Sequence, residues 1–222
     1  MKSTLLVLTL NEIEGMKAIM PRVHRDWVDE ILVVDGGSVD GTYEYARAQG
    51  YRVMKQKASG VTAAYWEGVE AAKGDIVIAF SPDGNSVPER IPDLIQKMKE
   101  GFDMVIVSRY LAGARSEDDD PVTAFGNRLL AGMINVLFGG RYTDTLVIFR
   151  AWRRDLLKTL KKNLSRAGLE TQLSIVCTKR KLKVTEIPGD EPKRIGGVRK
   201  MNPILNGSAV LGMILQEFFS PR

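Results

Sequence analysis

One cysteine and one histidine in 222 residues remove several kinds of chemistry at once. Cys177 alone can form neither an internal disulfide nor a cysteine metal cage. Its apolar neighbours Leu173, Ile175 and Val176 mark it as a buried structural thiol. A lone His24, set among Arg22, Arg25 and Asp26, leaves no Ser-His-Asp triad and no His-rich zinc site. No stretch reaches the roughly 20 apolar residues needed to cross a bilayer. The apolar start at residues 1–10 is too short for a signal peptide and has no cleavage site, so a cytoplasmic location is the expectation. Gly-x-Gly-x-x-Gly is missing after the first strand signal, which argues against a dinucleotide-dependent dehydrogenase. There is no internal repeat and no low-complexity tract.

What is present is ordinary in bulk and uneven in detail. Hydrophobic residues make up 44% and charged residues 27%, as in a soluble α/β domain. The net charge of +5 gathers between residues 179 and 200, in Lys179, Arg180, Lys181, Lys183, Lys193, Arg194, Arg199 and Lys200. Such a region attracts a diphosphate or anionic headgroups; without interleaved aromatics it does not suit nucleic acid. Residues 179–183 read more simply as a solvated helix face.

Apolar runs at residues 4–8, 31–34, 52–55, 76–80 and 104–107 predict buried strands. Between them, helical spacing predicts helices at 14–23 (interrupted at Pro21), 43–49, 62–72 and 91–100, with Lys73-Gly74 as a C-cap. This alternation predicts an α/β fold with a mostly parallel sheet flanked by helices. Beyond Arg109 the pattern loosens into a loop at 112–121 and a helix at 124–138. A short strand at 146–149, helices at 153–160 and 169–180, a closing strand at 183–187 and a loop at 188–201 follow. Residues 204–219 are apolar and fit docking on the domain, on a second copy or on a bilayer surface.

In a parallel sheet, polar residues after each strand converge on the carboxyl edge, where ligands bind. Four such tips stand out: Thr9-Leu10-Asn11-Glu12, Asp35-Gly36-Gly37-Ser38, Ser81-Pro82-Asp83-Gly84-Asn85, and Ser108-Arg109. Asp35 beside two glycines suits a nucleotide base or ribose, whereas Asp40-Gly41 alone reads as a turn and N-cap. Asp83 and Asn85, two apart in a tight turn, can present two oxygens to one hard cation. Arg109 offers a fixed fork of donors to phosphate.

In this order the residues resemble family-2 glycosyltransferases of GT-A fold, nearest to the polyprenyl-phosphate (dolichyl-phosphate mannose synthase-like) sugar transferases. The resemblance rests on Thr9-Leu10-Asn11-Glu12, on Val33-Val34-Asp35-Gly36-Gly37-Ser38-Val39-Asp40-Gly41-Thr42 and on Ala71-Ala72-Lys73-Gly74-Asp75. It continues through Ser108-Arg109-Tyr110, residues 144–150, and Glu186-Ile187-Pro188 followed by Arg194, Gly197 and Lys200. Asn85 departs from it, standing where the family carries the second acid of Asp-x-Asp, and Val87 holds the place of a Gln in some relatives.

The resemblance implies inverting transfer of a sugar from a nucleotide-diphosphate donor to an acceptor, either a polyprenyl phosphate or a glycan precursor of the cell envelope. Thr9, Leu10, Asn11, Glu12, Asp35, Gly36, Ser38, Asp83 and Gly84 would hold the nucleotide. Asp83 and Asn85 would hold Mg²⁺ or Mn²⁺, and Arg194 and Lys200 would close over the diphosphate. Asp144, Glu170 and Arg109 are the catalytic candidates; Asp144 also reads as a turn residue and Glu170 as a helix N-terminal acid. Residues 1–203 would form one catalytic domain, with a nucleotide half at 1–110 and an acceptor half at 111–203, followed by the apolar segment 204–222. Peripheral contact with the inner face of a membrane and a homo-oligomer stay open. The competing class is a catalytically degenerate nucleotide-sugar-binding scaffold, which Asn85 favours.

Overall fold

The computed structural model describes residues 1–160, 165, 168–196 and 203–220. Seven strands, β1 (Ser3–Thr9), β2 (Glu30–Asp35), β3 (Arg52–Lys55), β4 (Ile76–Phe80), β5 (Met104–Ser108), β6 (Arg150–Arg153) and β7 (Val184–Pro188), form one sheet in the order 3-2-1-4-6-5-7. All neighbours run parallel except β6, which is antiparallel to both β4 and β5. The chain leaves β1 in one direction to β2 and β3, then returns to place β4 on the other side of β1. The tips of β1 and β4 therefore flank the reversal point where open α/β sheets take their ligands.

Both faces of the sheet are covered, which explains why its central strands are apolar without alternation. Leu5 and Val7 of β1, with Ile76, Ile78 and Phe80 of β4, pack under α1 (Ile13–Ile19), α2 (Thr42–Ala48) and α4 (Ile91–Lys99). Leu6, Leu8, Val77 and Ala79 point the other way, onto α3 (Val61–Ala71), α5 (Pro121–Phe138), α6 (Arg154–Lys158), α7 (Leu169–Lys179) and α8 (Pro203–Phe219). Cys177 lies buried in this second layer, its thiol pushed up to about 12 by desolvation.

Several expected boundaries move. The strand expected at 146–149 is a loop, and β6 begins at Arg150, whose wholly buried guanidinium interrupts the apolar run. The helix read at 14–23 ends at Ile19, where Pro21 opens a 3₁₀ turn, Met20–Arg22. Lys73-Gly74 is no C-cap: α3 ends at Ala71 and Ala72 is already extended. Gly74 is required for another reason, since a Cβ there would lie 2.7 Å from the Thr4 nitrogen and 2.8 Å from the Ile76 oxygen. Helix α5 starts three residues before the expected 124, because the Asp120 side chain accepts from the Val122 and Thr123 N–H groups with Pro121 in the first turn.

Lys179 is not on a solvated face; it pairs with Glu217 of α8 at 2.8 Å and is largely buried. Of the basic loop at 188–201, residues 197–201 lie outside the described residues.

Candidate active site at the carboxyl edge of the sheet

The tips of β1 and β2 are laced together by their own polar groups. Gly36 N–H donates to the Thr9 carbonyl at 2.8 Å, Asn11 N–H to Ser38 Oγ at 2.8 Å, and Val39 N–H to Asn11 Oδ1 at 2.8 Å. Asn11 takes a left-handed φ of 54° to do this, a conformation Asn tolerates better than most residues. Asp35 is fully buried: Oδ1 accepts from the Gly37 and Ser38 N–H groups, and Oδ2 from the Ser38 hydroxyl at 2.6 Å and the Thr9 hydroxyl at 3.3 Å. Its carboxylate thus fixes the shape of the loop at this tip.

Asp40 ties together the starts of α1 and α2, accepting from Ile13 N–H, Thr42 N–H and the Thr42 hydroxyl. Burial opposes its charge, but these bonds outweigh burial and hold the carboxyl below the usual aspartate range. Glu12 is buried, and its N–H donates to Thr42 Oγ1.

At the tip of β4, Asp83, Gly84 and Asn85 make a tight turn with Gly84 at φ 92°. Asp83 is buried; Oδ1 accepts from Asn85 N–H at 3.1 Å and Oδ2 pairs with Arg194 Nη2 at 2.9 Å. Arg194 also reaches Glu12 at 3.9 Å. The chain around Arg194 is fixed on its other side by the loop after β5. A bridge joins Ser116 to Glu191, Glu117 N–H donates to the Glu191 carbonyl, and Arg194 N–H donates to Asp118 Oδ1.

Beyond β5, Arg109 forms a two-pronged pair with fully buried Asp144: Nε to Oδ2 at 2.6 Å and Nη2 to Oδ1 at 3.0 Å. Its third nitrogen, Nη1, meets Glu191 at 3.0 Å. Burial works against the Arg109 charge, and the two carboxylates outweigh it, so the guanidinium is held cationic more firmly than usual. Burial lifts Glu191 above the usual glutamate value despite Arg109 beside it. Glu186 of β7, also raised by burial, accepts from the Thr143 and Asp144 N–H groups and so sets the height of the Asp144 loop.

Glu170 lies apart from this cluster, in the first turn of α7. It is buried near Tyr65, whose hydroxyl titrates well above its usual value, first through burial and then through the Glu170 charge. Lys200 lies outside the described residues.

Two residues that matter here carry no local signal for their role. Glu191 follows Asp190 at the start of a basic, glycine-rich stretch, and nothing in that pair tells which acid turns inward. Arg150 donates all five N–H groups inside the protein: Nε and Nη2 to the Val147 carbonyl, Nη2 also to the Thr145 carbonyl, and Nη1 to the Glu170 carbonyl and Ser174 hydroxyl. It fastens the Asp144 loop to α7; the one available signal was a charge between Phe149 and Ala151-Trp152.

Among the described residues, no three His, Cys, Asp or Glu side chains cluster as a metal cage. The donors present, one Asp83 carboxylate and one Asn85 amide, suit a hard cation whose remaining ligands are phosphate and water oxygens.

A model for glycosyl transferase family 2 matches residues 5–161. A protein of Haloferax volcanii described as glycosyltransferase AglJ is 29% identical over 97% of this chain and 70% of its own length. The dolichyl-phosphate hexose transferase of the same organism is 29% identical over 96% of this chain and 92% of its own. Among solved structures, the glucosyl-3-phosphoglycerate synthase of Mycobacterium tuberculosis in complex with Mg²⁺ and uridine diphosphate superposes with a TM-score of 0.77. It is 25% identical and covers 100% of this chain and 80% of its own.

Proposed function

We infer that this chain, which belongs to glycosyl transferase family 2, moves a sugar from a nucleotide diphosphate to a lipid-phosphate acceptor with inversion at the sugar carbon. The observation that carries the reading is the buried Asp83 turn at the reversal point, with guanidinium groups from Arg194 and Arg109 on the same edge. The donor's base would lie near residues 9–12 and 35–38 and its diphosphate near residues 83–84, and Arg194 would turn from Asp83 to the diphosphate oxygens. Asp83, with the Asn85 amide oxygen, would hold a Mg²⁺ or Mn²⁺ ion, which when bound supplies a Lewis acid for the leaving diphosphate. Arg109 would turn its remaining Nη protons to phosphate charge that grows as the sugar departs, its other N–H groups being held by Asp144 and Glu191. A phosphate acceptor is already ionised and needs no base, so Asp144 acts by holding Arg109 in place; Glu170, packed near Tyr65, supports α7.

The acceptor fits a surface this molecule presents. Val122, Phe125, Leu129 and Val136 lie on one exposed face of α5, and Leu211, Leu215, Phe218 and Phe219 on the adjoining α8. The one charged residue of α8, Glu217, turns inward to Lys179 and Gln172. Exposed Arg128, Arg141 and Lys181 border this apolar face, the last two lining a cavity of about 650 Å³ beside Phe138. Apolar residues bordered by cations match an anionic bilayer surface, whereas two copies meeting here would bring like charges together. No helix among the described residues is long and apolar enough to cross a membrane. The nucleotide half (1–110) and acceptor half (111–203) would work as one unit, since β5 pairs with β6 and β7 in one sheet.

A second reading has its own support: Arg194 sits on Asp83 and the Asn85 amide is engaged by the chain, as in a scaffold that binds without turning over. A thermal-shift series with UDP, GDP, CDP and dTDP, each with and without Mn²⁺, followed by radiolabelled transfer from the preferred donor to a polyprenyl phosphate, tests both. A metal-dependent shift with transfer supports the transferase; a shift without transfer to lipid or glycan acceptors supports the scaffold. No shift in a cooperatively melting protein overturns both.

A further inference from the structure

The backbone around Arg194 crosses the Asp83 turn and is pinned to it three times. Ile195 N–H donates to the Asp83 carbonyl at 2.7 Å, Asn85 Nδ2 donates to the Pro192 carbonyl at 2.9 Å, and Arg194 pairs with Asp83 at 2.9 Å. The fit is close. A Cβ on Gly84 would stand 2.8 Å from Ile195 Cγ1, at a φ that already favours glycine. The Asn85 contact depends on an amide, because an ionised carboxylate has no proton to give and would face the Pro192 carbonyl oxygen with like charge. A Mg²⁺ ion needs about 2.1 Å to the oxygen it takes. With the Arg194 guanidinium on Asp83 Oδ2, a cation approaching that oxygen meets a like charge already in place.

We propose that Asn85 is a positioning residue: it holds residues 192–195 across the turn so that Arg194 and a divalent cation exclude one another at Asp83. A free cation then meets a closed site. A nucleotide diphosphate opens it, because its oxygens offer Arg194 another partner and give the cation its remaining ligands. The substitution of an amide for an acid thus couples cation binding to arrival of the donor. This inference rests on the cation reading given under Proposed function and adds the competition.

The test measures Mn²⁺ alone, by electron paramagnetic resonance titration of the nucleotide-free full chain, in the native protein and in the Asn85→Asp, Arg194→Gln and Asp83→Asn variants. Hydrogen exchange at the Ile195 amide is followed in parallel. A latch closed nine-tenths of the time weakens the apparent affinity about tenfold. Asn85→Asp and Arg194→Gln should each bind Mn²⁺ about tenfold more tightly and exchange Ile195 faster, while Asp83→Asn abolishes binding. Because Asn85→Asp also adds a ligand charge, Arg194→Gln, which adds none, decides the competition. Equal Mn²⁺ affinity in the native protein and Arg194→Gln, with Asp83→Asn still abolishing it, overturns the latch and leaves the cation reading standing. Absence of Mn²⁺ binding in every variant overturns both.

Discussion

Asp144 shows how a single carboxylate divides its work. One oxygen accepts from Arg109 Nη2 and from the Leu146 and Val147 N–H groups, and the other from Arg109 Nε and N–H. Asp144→Asn keeps the shape, loses the charge and frees the Arg109 fork to swing. We expect kcat/KM to fall about 10²-fold or more, as when a fixed electrostatic group is lost from a transition-state site. The loss should be equal across the pH range in steady-state assays; a lost acid limb would identify Asp144 as a base instead. Leaving Arg109 half-paired in a buried place should cost about 3 kcal/mol, read as a fall in Tm of about 10 °C for a chain this size. Asp40 makes a separate prediction. Its carboxyl titrates below the ordinary aspartate value of 3.8, so the native state binds that proton less readily than the unfolded chain. Its stabilisation is present above 3.8 and is lost as pH falls through the lower native value. Asp40→Asn should cost about 1 kcal/mol at pH 6, the usual net worth of a hydrogen bond, and much less near pH 3, by urea titration.

At the scale of elements, the strongest constraint is the turn that returns the chain from α3 to β4. Gly74→Ala places a methyl 2.7–2.8 Å from three backbone atoms, none of which can rotate away. The expected loss is about 3 kcal/mol or more, measurable as a Tm drop of about 10 °C with transfer activity retained per folded molecule. The sequence marked this segment as a cap because Gly after a helix is usually that; only the β1 backbone, about 70 residues away in the chain, reveals the true reason. Elements with a strong local period were legible: β3 was read with its observed ends at Arg52 and Lys55, and β4 with its ends at Ile76 and Phe80. Strand β6 was not, because its pairing buries Arg150 and no period announces that. The site followed the same rule. Four polar strand tips could be read in order, since each follows its own strand. The partners could not: Arg109 and Asp144 are 35 residues apart, Asn85 and Pro192 107 apart, and no local pattern encodes such pairs. Asp35, expected to hold a nucleotide base, also closes its own turn through contacts within three residues, which its spacing to Gly37 and Ser38 left unannounced.

At the scale of the whole molecule, the exposed apolar face shared by α5 and α8 stands out among the described residues. Phe125→Glu and Leu215→Glu replace exposed apolar groups on α5 and α8 without entering the packed layer beneath. Each should weaken co-sedimentation with phosphatidylglycerol-containing vesicles about tenfold, since seating such a side chain in the interface is worth about 1.5–3 kcal/mol. Turnover of a short water-soluble acceptor should stay unchanged. Concentration-dependent dimerisation that disappears in the variants, with vesicle binding unaltered, would assign the face to a second copy instead.

The order of strands also bears on how this chain is made. β6 lies between β4 and β5 although it is synthesised after both. On a ribosome releasing residues from the amino end, β5 emerges with no neighbour to join. The outer edge of β4 stays open until residue 153 has left the exit tunnel, roughly 45 residues and several seconds later at ordinary elongation rates. A nascent chain therefore carries an apolar strand and an unpaired sheet edge together. Pausing after β5 has emerged and while β6 is still in the tunnel would lengthen that interval, and ribosome-bound chains stalled in that window should bind chaperones that chains stalled after β6 and β7 have emerged release.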